Sequence, residues 1–196
     1  MRPYFAYFTA FLLVLLCFSA CSPTASSNDF AYAAAPFTAA ARGTYTSEDG
    51  TPRPIAVQIT VGEPISVDDL TNRPMKVTFT QPATLAGITV AAVYEPDTDG
   101  RLIRAVTFTY PSSYGEVSSS SQTGDFDGFL RFAEALLPFG DITDVSPTAD
   151  DGTHTVTRTT ANGTRKATFL FSQEQVLPLR VSVRGKGIVL DLSVTP

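Results

Sequence analysis

Tryptophan is absent, histidine occurs once and cysteine twice, and these scarcities remove much of the chemistry that 196 residues could carry. The two cysteines, Cys17 and Cys21, fall within or beside an apolar leader, so the chain beyond residue 21 has no thiol. That excludes a disulfide framework, a cysteine-based metal site and a thiol nucleophile. A zinc site of His and Cys is equally out of reach. His154, beside Gly152-Thr153 at a strand start, reads as a solvated strand-edge residue and not as a catalytic base. Basic residues are short as well: 14 Lys and Arg stand against 19 Asp and Glu, a formal charge of −5. Nucleic acid, whose phosphates call for Lys and Arg, is excluded as a natural partner. No basic patch is available to hold an anionic lipid surface either.

What is present begins with Met1-Arg2-Pro3, one positive charge, followed by an almost unbroken apolar run over residues 4–18. These are the n-region and h-region of an export signal. Ser19 and Ala20 precede Cys21, and residues 22–28 are polar with one proline, a composition that cannot bury enough surface to fold. Phe18-Ser19-Ala20-Cys21 resembles the bacterial lipobox, with Phe18 where an aliphatic residue is usual. The resemblance implies a signal peptide over 1–20, lipid attachment at Cys21 with palmitate-type acyl chains, and a lipidated flexible tether over 21–36. The competing reading is an uncleaved membrane helix, since residues 4–21 number 18, the lower limit for a span. Both readings put the domain outside the cytoplasm, and the first leaves it lipid-anchored to the cell membrane. Loss of residues 1–20 removes Arg2 and no acid, taking the charge from −5 to −6. Anchoring then falls to the lipid, each buried methylene contributing about 0.8 kcal/mol.

Residues 37–196, about 160 of them, make one domain large enough to bury a core. Its dominant pattern is period-two alternation between turn residues, as in strands with one buried face. Ile55, Val57, Ile59 and Val61 alternate with Ala56, Gln58 and Thr60; Met75, Val77 and Phe79 alternate with Lys76, Thr78 and Thr80; Val106 and Phe108 continue the style. Residues 88–94 are apolar on both faces, as a central strand would be. Further strands are expected at 154–159, 165–171, 179–184 and 188–194, with an alanine-rich one at 37–46. Asn162-Gly163, Gly185-Lys186-Gly187 and Asp97-Thr98-Asp99-Gly100 supply hairpin turns. About nine or ten strands in sequential hairpins imply an antiparallel sheet.

One segment changes period. Phe126, Phe129, Leu130, Ala133, Leu136 and Leu137 fall at helical spacing, Thr123 or Asp125 can cap the start, and Pro138 and Gly140 stop it. Its phenylalanine face must bury against the concave side of the sheet. The preceding Ser-rich stretch, residues 112–124, reads as a long loop. The expected fold is mainly β (α+β): a curved antiparallel sheet or incompletely closed barrel with one helix on its concave side.

This order of elements, together with Thr80-Gln81-Pro82-Ala83-Thr84-Leu85-Ala86-Gly87-Ile88-Thr89-Val90 and Leu177-Pro178-Leu179-Arg180-Val181, resembles the lipoprotein carrier and sensor superfamily of LolA, LppX and RseB. The resemblance spans residues 37–194. It implies a curved, open barrel whose helices cover one side, with acyl chains held between sheet and helix. The sequence departs from better-known members in having one helix and Pro36 where a long helix is usual. No binding residue carries over by position.

Four carboxylate pairs (Asp68-Asp69, Asp97 with Asp99, Asp125 with Asp127, Asp150-Asp151) all sit at turns or a helix start, where Asp bonds to nearby amides without further function. Asp97-x-Asp99-Gly100 opens like a calcium loop but lacks the later ligands and the bidentate Glu. Nothing pairs two carboxylates for glycoside hydrolysis. No enzyme, metal or cofactor is expected. The aromatics are the better lead: Phe79, Phe108, Phe126, Phe129, Phe132, Phe169 and Phe171 are the candidate lining of an apolar pocket for a lipid or other hydrophobic small molecule. For each of them core packing is the competing role. Tyr110 and Tyr114 frame a mouth in the first reading and a self-packed turn in the second. The functional expectation is non-catalytic binding of a hydrophobic ligand between sheet and helix. The alternative is an envelope protein-protein interaction or sensor module with a filled core, and behind it a hydrolase, which would need carboxylates from separate loops to converge in one cleft.

Overall fold

The computed structural model describes residues 29–46, 48–66, 72–96, 98–99, 102–112, 115–121, 127–185 and 188–196. The lipobox, Cys21, Phe126, Tyr114 and the proposed helix caps lie outside these residues. Eleven strands form one antiparallel sheet: β1 (Phe37–Thr46), β2 (Pro52–Val61), β3 (Met75–Gln81), β4 (Thr89–Pro96), β5 (Leu102–Ser112), β6 (Gly115–Ser121), β7 (Asp141–Val145), β8 (Thr153–Thr159), β9 (Arg165–Ser172), β10 (Arg180–Gly185) and β11 (Ile188–Thr195). Helix α1 spans Asp127–Glu134 between β6 and β7. The sheet order is β6-β5-β4-β3-β2-β1-β11-β10-β9-β8-β7, so two meanders meet where β1 pairs with β11. β6 and β7 end the sheet on opposite edges without pairing, and the barrel stays open.

Nine of these strands sit where alternation puts them. The other two are additions to the expected count. The Ser-rich stretch is no loop over most of its length: β5 runs on to Ser112 and β6 pairs back with it, Thr109 and Ser118 sharing a hydroxyl hydrogen bond of 3.1 Å.

Alternation builds the core directly. Ile55, Val57, Ile59 and Val61 of β2 face inward with Val77 and Phe79 of β3, Val90 and Ala92 of β4, and Leu190, Leu192 and Val194 of β11. Each such side chain contributes roughly 1.5–3 kcal/mol by leaving water. At the meander junction Gly43 stands opposite Leu192, and a Cβ there would lie 1.7 Å from the Asp191 carbonyl oxygen. Only glycine lets β1 and β11 come this close. Asn162-Gly163 closes the β8–β9 hairpin as expected, with Gly163 at φ +70° and the Asn162 Oδ1 accepting from the Thr164 hydroxyl at 2.7 Å.

Residues 29–36, the end of the span 21–36 read as a tether, pack against the domain. Residues 31–34 form a one-turn 3-10 helix, and Tyr32 and Ala33 are buried in the main core. Phe30 packs edge-on against Phe169 and Phe171, with centroids 5.0 and 5.2 Å apart. Arg73, fully buried, donates from Nε to the Gly62 carbonyl (2.7 Å), from Nη1 to that of Ala33 (2.5 Å) and from Nη2 to that of Ala35 (2.6 Å). A helix end needs partners for its last carbonyls, and this guanidinium supplies them. The polar stretch 22–28, on which the tether reading rested, lies outside the described residues.

Candidate functional site

The helix ends at Glu134, short of the expected stop at Pro138, but the apolar positions read at helical spacing from 129 to 137 are those that pack. Leu130, Phe132, Ala133, Leu136 and Leu137 are buried, Phe129 is half-buried, and Gly128 and Arg131 are exposed. Phe79 of β3 stands under α1 with Phe129 and Phe132 on either side, centroids 5.7 and 5.6 Å away and planes at 89° and 88°. Edge-to-face contact of this kind sets positive ring edge against negative ring face. Phe129 also meets Phe108 of β5 at 5.8 Å, and Phe132 meets Tyr45 of β1 at 6.0 Å. Arg104 of β5 donates to Glu134 at 3.1 Å, fastening the end of the helix to the sheet.

Between α1 and the sheet is a cavity of about 530 Å³. Ile55, Phe79, Leu85, Phe129 and Phe132 form its apolar wall, and Tyr45, Arg53, Pro54, Pro82, Thr84, Gly128 and Arg131 complete the lining. Its size lies within the range of about 300–1,000 Å³ usual for a small-molecule pocket. Arg53 is exposed and donates to Asp49 at 2.7 Å.

The structure therefore divides the candidate phenylalanines. Phe79, Phe129 and Phe132 line the cavity, and Phe108 abuts it through Phe129. Phe169 and Phe171 of β9 do not reach it; they form a second aromatic cluster with Phe30. Tyr45, Ile55, Leu85, Arg53 and Arg131 belong to the site without having been singled out in the sequence. Tyr45 was available from period two alone, since it shares the phase of Phe37, Ala39 and Ala41.

His154 is not a solvated edge residue. Its Nε2 lies 3.1 Å from Asp29 Oδ1, both side chains are mostly buried, and its ring stacks on Phe171 at 5.7 Å. Neighbouring cations complete the same cluster. Arg158 lies 4.9 Å over the Phe30 ring while its Nε donates to the Phe139 carbonyl at 2.9 Å. Arg165 lies 4.0 Å over Phe139. Burial lowers the pKa of Arg73, Arg158 and Arg165 from the ordinary guanidinium value, with nearby Glu63, Asp141 and Glu134 respectively opposing the shift. Burial also pushes the Tyr32 phenol well above its usual range, its hydroxyl donating to the Leu136 carbonyl.

Asp151 accepts from the Thr153 amide at 3.0 Å and hydroxyl at 2.7 Å, bonds that hold its carboxyl below the usual range. This is the turn role the sequence assigned it. Among the described residues no three His, Cys, Asp or Glu gather as a metal site.

No family model and no curated protein matches the sequence. Solved structures with a similar fold include two. One is a DUF1329 family protein from Desulfovibrio piger, with 10% identity, a TM-score of 0.41 and coverage of 83% of this chain and 84% of that one. The other is a LolA superfamily protein from Nitrosomonas europaea, with 11% identity, a TM-score of 0.37 and coverage of 87% and 88%.

Proposed function

We propose that this chain is an extracytoplasmic lipoprotein, held to a membrane by lipid on Cys21, that binds a hydrophobic ligand without catalysis between α1 and the sheet. One observation carries the binding half: the apolar cavity of about 530 Å³ walled by Phe79, Phe129 and Phe132. A sheet with a filled core would leave no such space under its helix. The leader and Phe18-Ser19-Ala20-Cys21 carry the anchoring half.

Gly128 gives a direct test, because it sits on the rim and a Cβ there meets nothing within 4 Å. Gly128→Trp sets an indole over the mouth with no core contact disturbed. Native mass spectrometry of the purified chain is expected to show bound or added lipid in the wild type and strongly reduced occupancy in the variant, with the two melting alike. Equal occupancy in both, or no ligand in either, refutes the reading. For the anchor, Cys21→Ser is expected to release the processed chain from membranes.

The open sheet edges favour a second reading, docking of an envelope protein by strand addition. β6 and β7 each pair on one side only, and Val117 and Ile142 on them are exposed. It expects Ser119→Pro on β6 to abolish a crosslink to that partner in membranes while leaving lipid occupancy intact.

A further inference from the structure

The rim of the cavity carries charge opposite to that of the chain. Arg53 from β2 and Arg131 from α1 both line it and both are exposed, and among the described residues no Asp or Glu lines it. This occurs in a chain with 19 acidic residues against 14 basic ones. The hydroxyl-bearing Tyr45 and Thr84 are the other polar groups there. Arg53 already holds one carboxylate, that of Asp49, in an exposed pair at 2.7 Å. Exposed pairs of this kind are weak and exchangeable, so a ligand anion can take the place of Asp49 at small cost. The interior is apolar and its volume suits one chain of a small amphiphile.

We propose that the ligand is a single-chain amphiphile with an anionic head, carboxylate or phosphate. Its chain lies among Phe79, Phe129 and Phe132, and its head lies between Arg53 and Arg131. This rests on the cavity-binding reading above and adds the chemistry of the ligand to it. A cationic head is excluded by like charge at the rim, and a neutral head forgoes both guanidinium groups.

The test uses the full chain in phosphatidylcholine vesicles with photoactivatable probes bearing a terminal diazirine. Palmitic acid is compared with hexadecanol, and lysophosphatidic acid with lysophosphatidylcholine. Adducts on peptides containing Phe79 or Phe129 to Phe132 are counted by mass spectrometry and normalised to the probe in the vesicles. At neutral pH each anionic probe is expected to exceed its uncharged or zwitterionic counterpart by about two- to fivefold, the worth of one new exposed charge pair at Arg131 with the pair at Arg53 exchanged. The ratio should fall towards one in the Arg53→Gln, Arg131→Gln double variant; the ratio, not the absolute yield, is the readout. Whichever anionic probe gives the larger ratio identifies the head as carboxylate or phosphate.

Equal labelling by anionic and neutral probes overturns the anionic head while leaving the cavity reading standing. So does a ratio that survives in the double variant. No adduct on those peptides from any probe overturns both.

Discussion

Replacing Arg73 with methionine tests whether the N-terminal segment is part of the fold. The side chain is 0% exposed and its guanidinium sits in a cage of three carbonyls, those of Gly62, Ala33 and Ala35, at 2.5–2.7 Å. Methionine keeps most of the stem and removes every donor. Each orphaned carbonyl costs about 1–3 kcal/mol where water cannot replace the bond, roughly 3–9 kcal/mol in all. Against this, the variant no longer strips a cation of its hydration, a saving of several kcal/mol. The balance is a loss of about 3–5 kcal/mol, as when one partner of a buried pair is removed. For a chain of this length about 2–4 °C of Tm goes with each kcal/mol, so the melting point should fall by about 6–20 °C. Hydrogen exchange gives the location: amides of residues 31–37 should lose protection well before those of β9. A Tm change below about 3 °C, or loss of protection spread evenly over the sheet, would refute the carbonyl-cage argument.

Two other consequences follow from the same packing. Burial raises the pKa of the Tyr32 phenol above its ordinary value near 10, so above pH 10 the unfolded chain releases a proton that the folded chain keeps. Stability is full below pH 10 and falls by about 1.4 kcal/mol per pH unit above it; Tyr32→Phe should flatten that part of a urea-midpoint profile, and an unchanged slope would count against the burial. Gly43→Ala places a methyl 1.7 Å from the Asp191 carbonyl oxygen in the ladder joining the two meanders. It should cost about 3 kcal/mol or more in urea unfolding, at the upper end for overpacking, and a variant as stable as wild type would show that the junction can part freely.

The sequence revealed elements in proportion to how much they bury. β2, β3 and β9 alternate because one face is core; β3 and β9 were found almost to the residue, and β2 from Ile55 onward, three residues after it starts. β6, with Gly-Glu-Val and four serines, and β7, with Asp-Ile-Thr-Asp-Val, are edge strands with little apolar surface to signal either face. Their pairing is backbone bonding, to which side-chain periodicity is blind. The same limit explains the aromatics. Period two says that Phe79 and Phe169 both face inward, and both do. It does not say that β3 and β9 stand five strands apart in the sheet. At about 4.8 Å per strand that is roughly 24 Å along the sheet, so a shared phase does not by itself bring their rings to one cavity. Arg73 was hidden for a related reason: in Asn72-Arg73-Pro74 it looks like a loop cation, and only the long-range approach of Ala33 and Ala35 makes it a core residue.

The two ends of the molecule are covered differently, and the difference decides where a ligand can go. Over β8 and β9 the cover is the segment 29–36, pinned by Arg73, by Arg158 over Phe30 and by His154 beside Asp29. Each of these is a directional contact that a shift of the cover would break, so this end is held in place. Over β2 to β4 the cover is an eight-residue helix resting on phenyl edges, with one ion pair from Arg104 to Glu134. Ring edges slide and rotamers hop at far smaller cost than buried cations lose carbonyls, so this end can adapt to an occupant. The two covers meet where the Tyr32 hydroxyl donates to the Leu136 carbonyl, but Arg73 bonds to Gly62, Ala33 and Ala35 while Arg53 bonds to Asp49, and effects at such separate groups add. Arg73→Met should therefore lower stability with the preference for anionic probes intact. Arg53→Gln with Arg131→Gln should do the reverse, and coupling between the two sets would mean that the fixed end and the cavity are one unit.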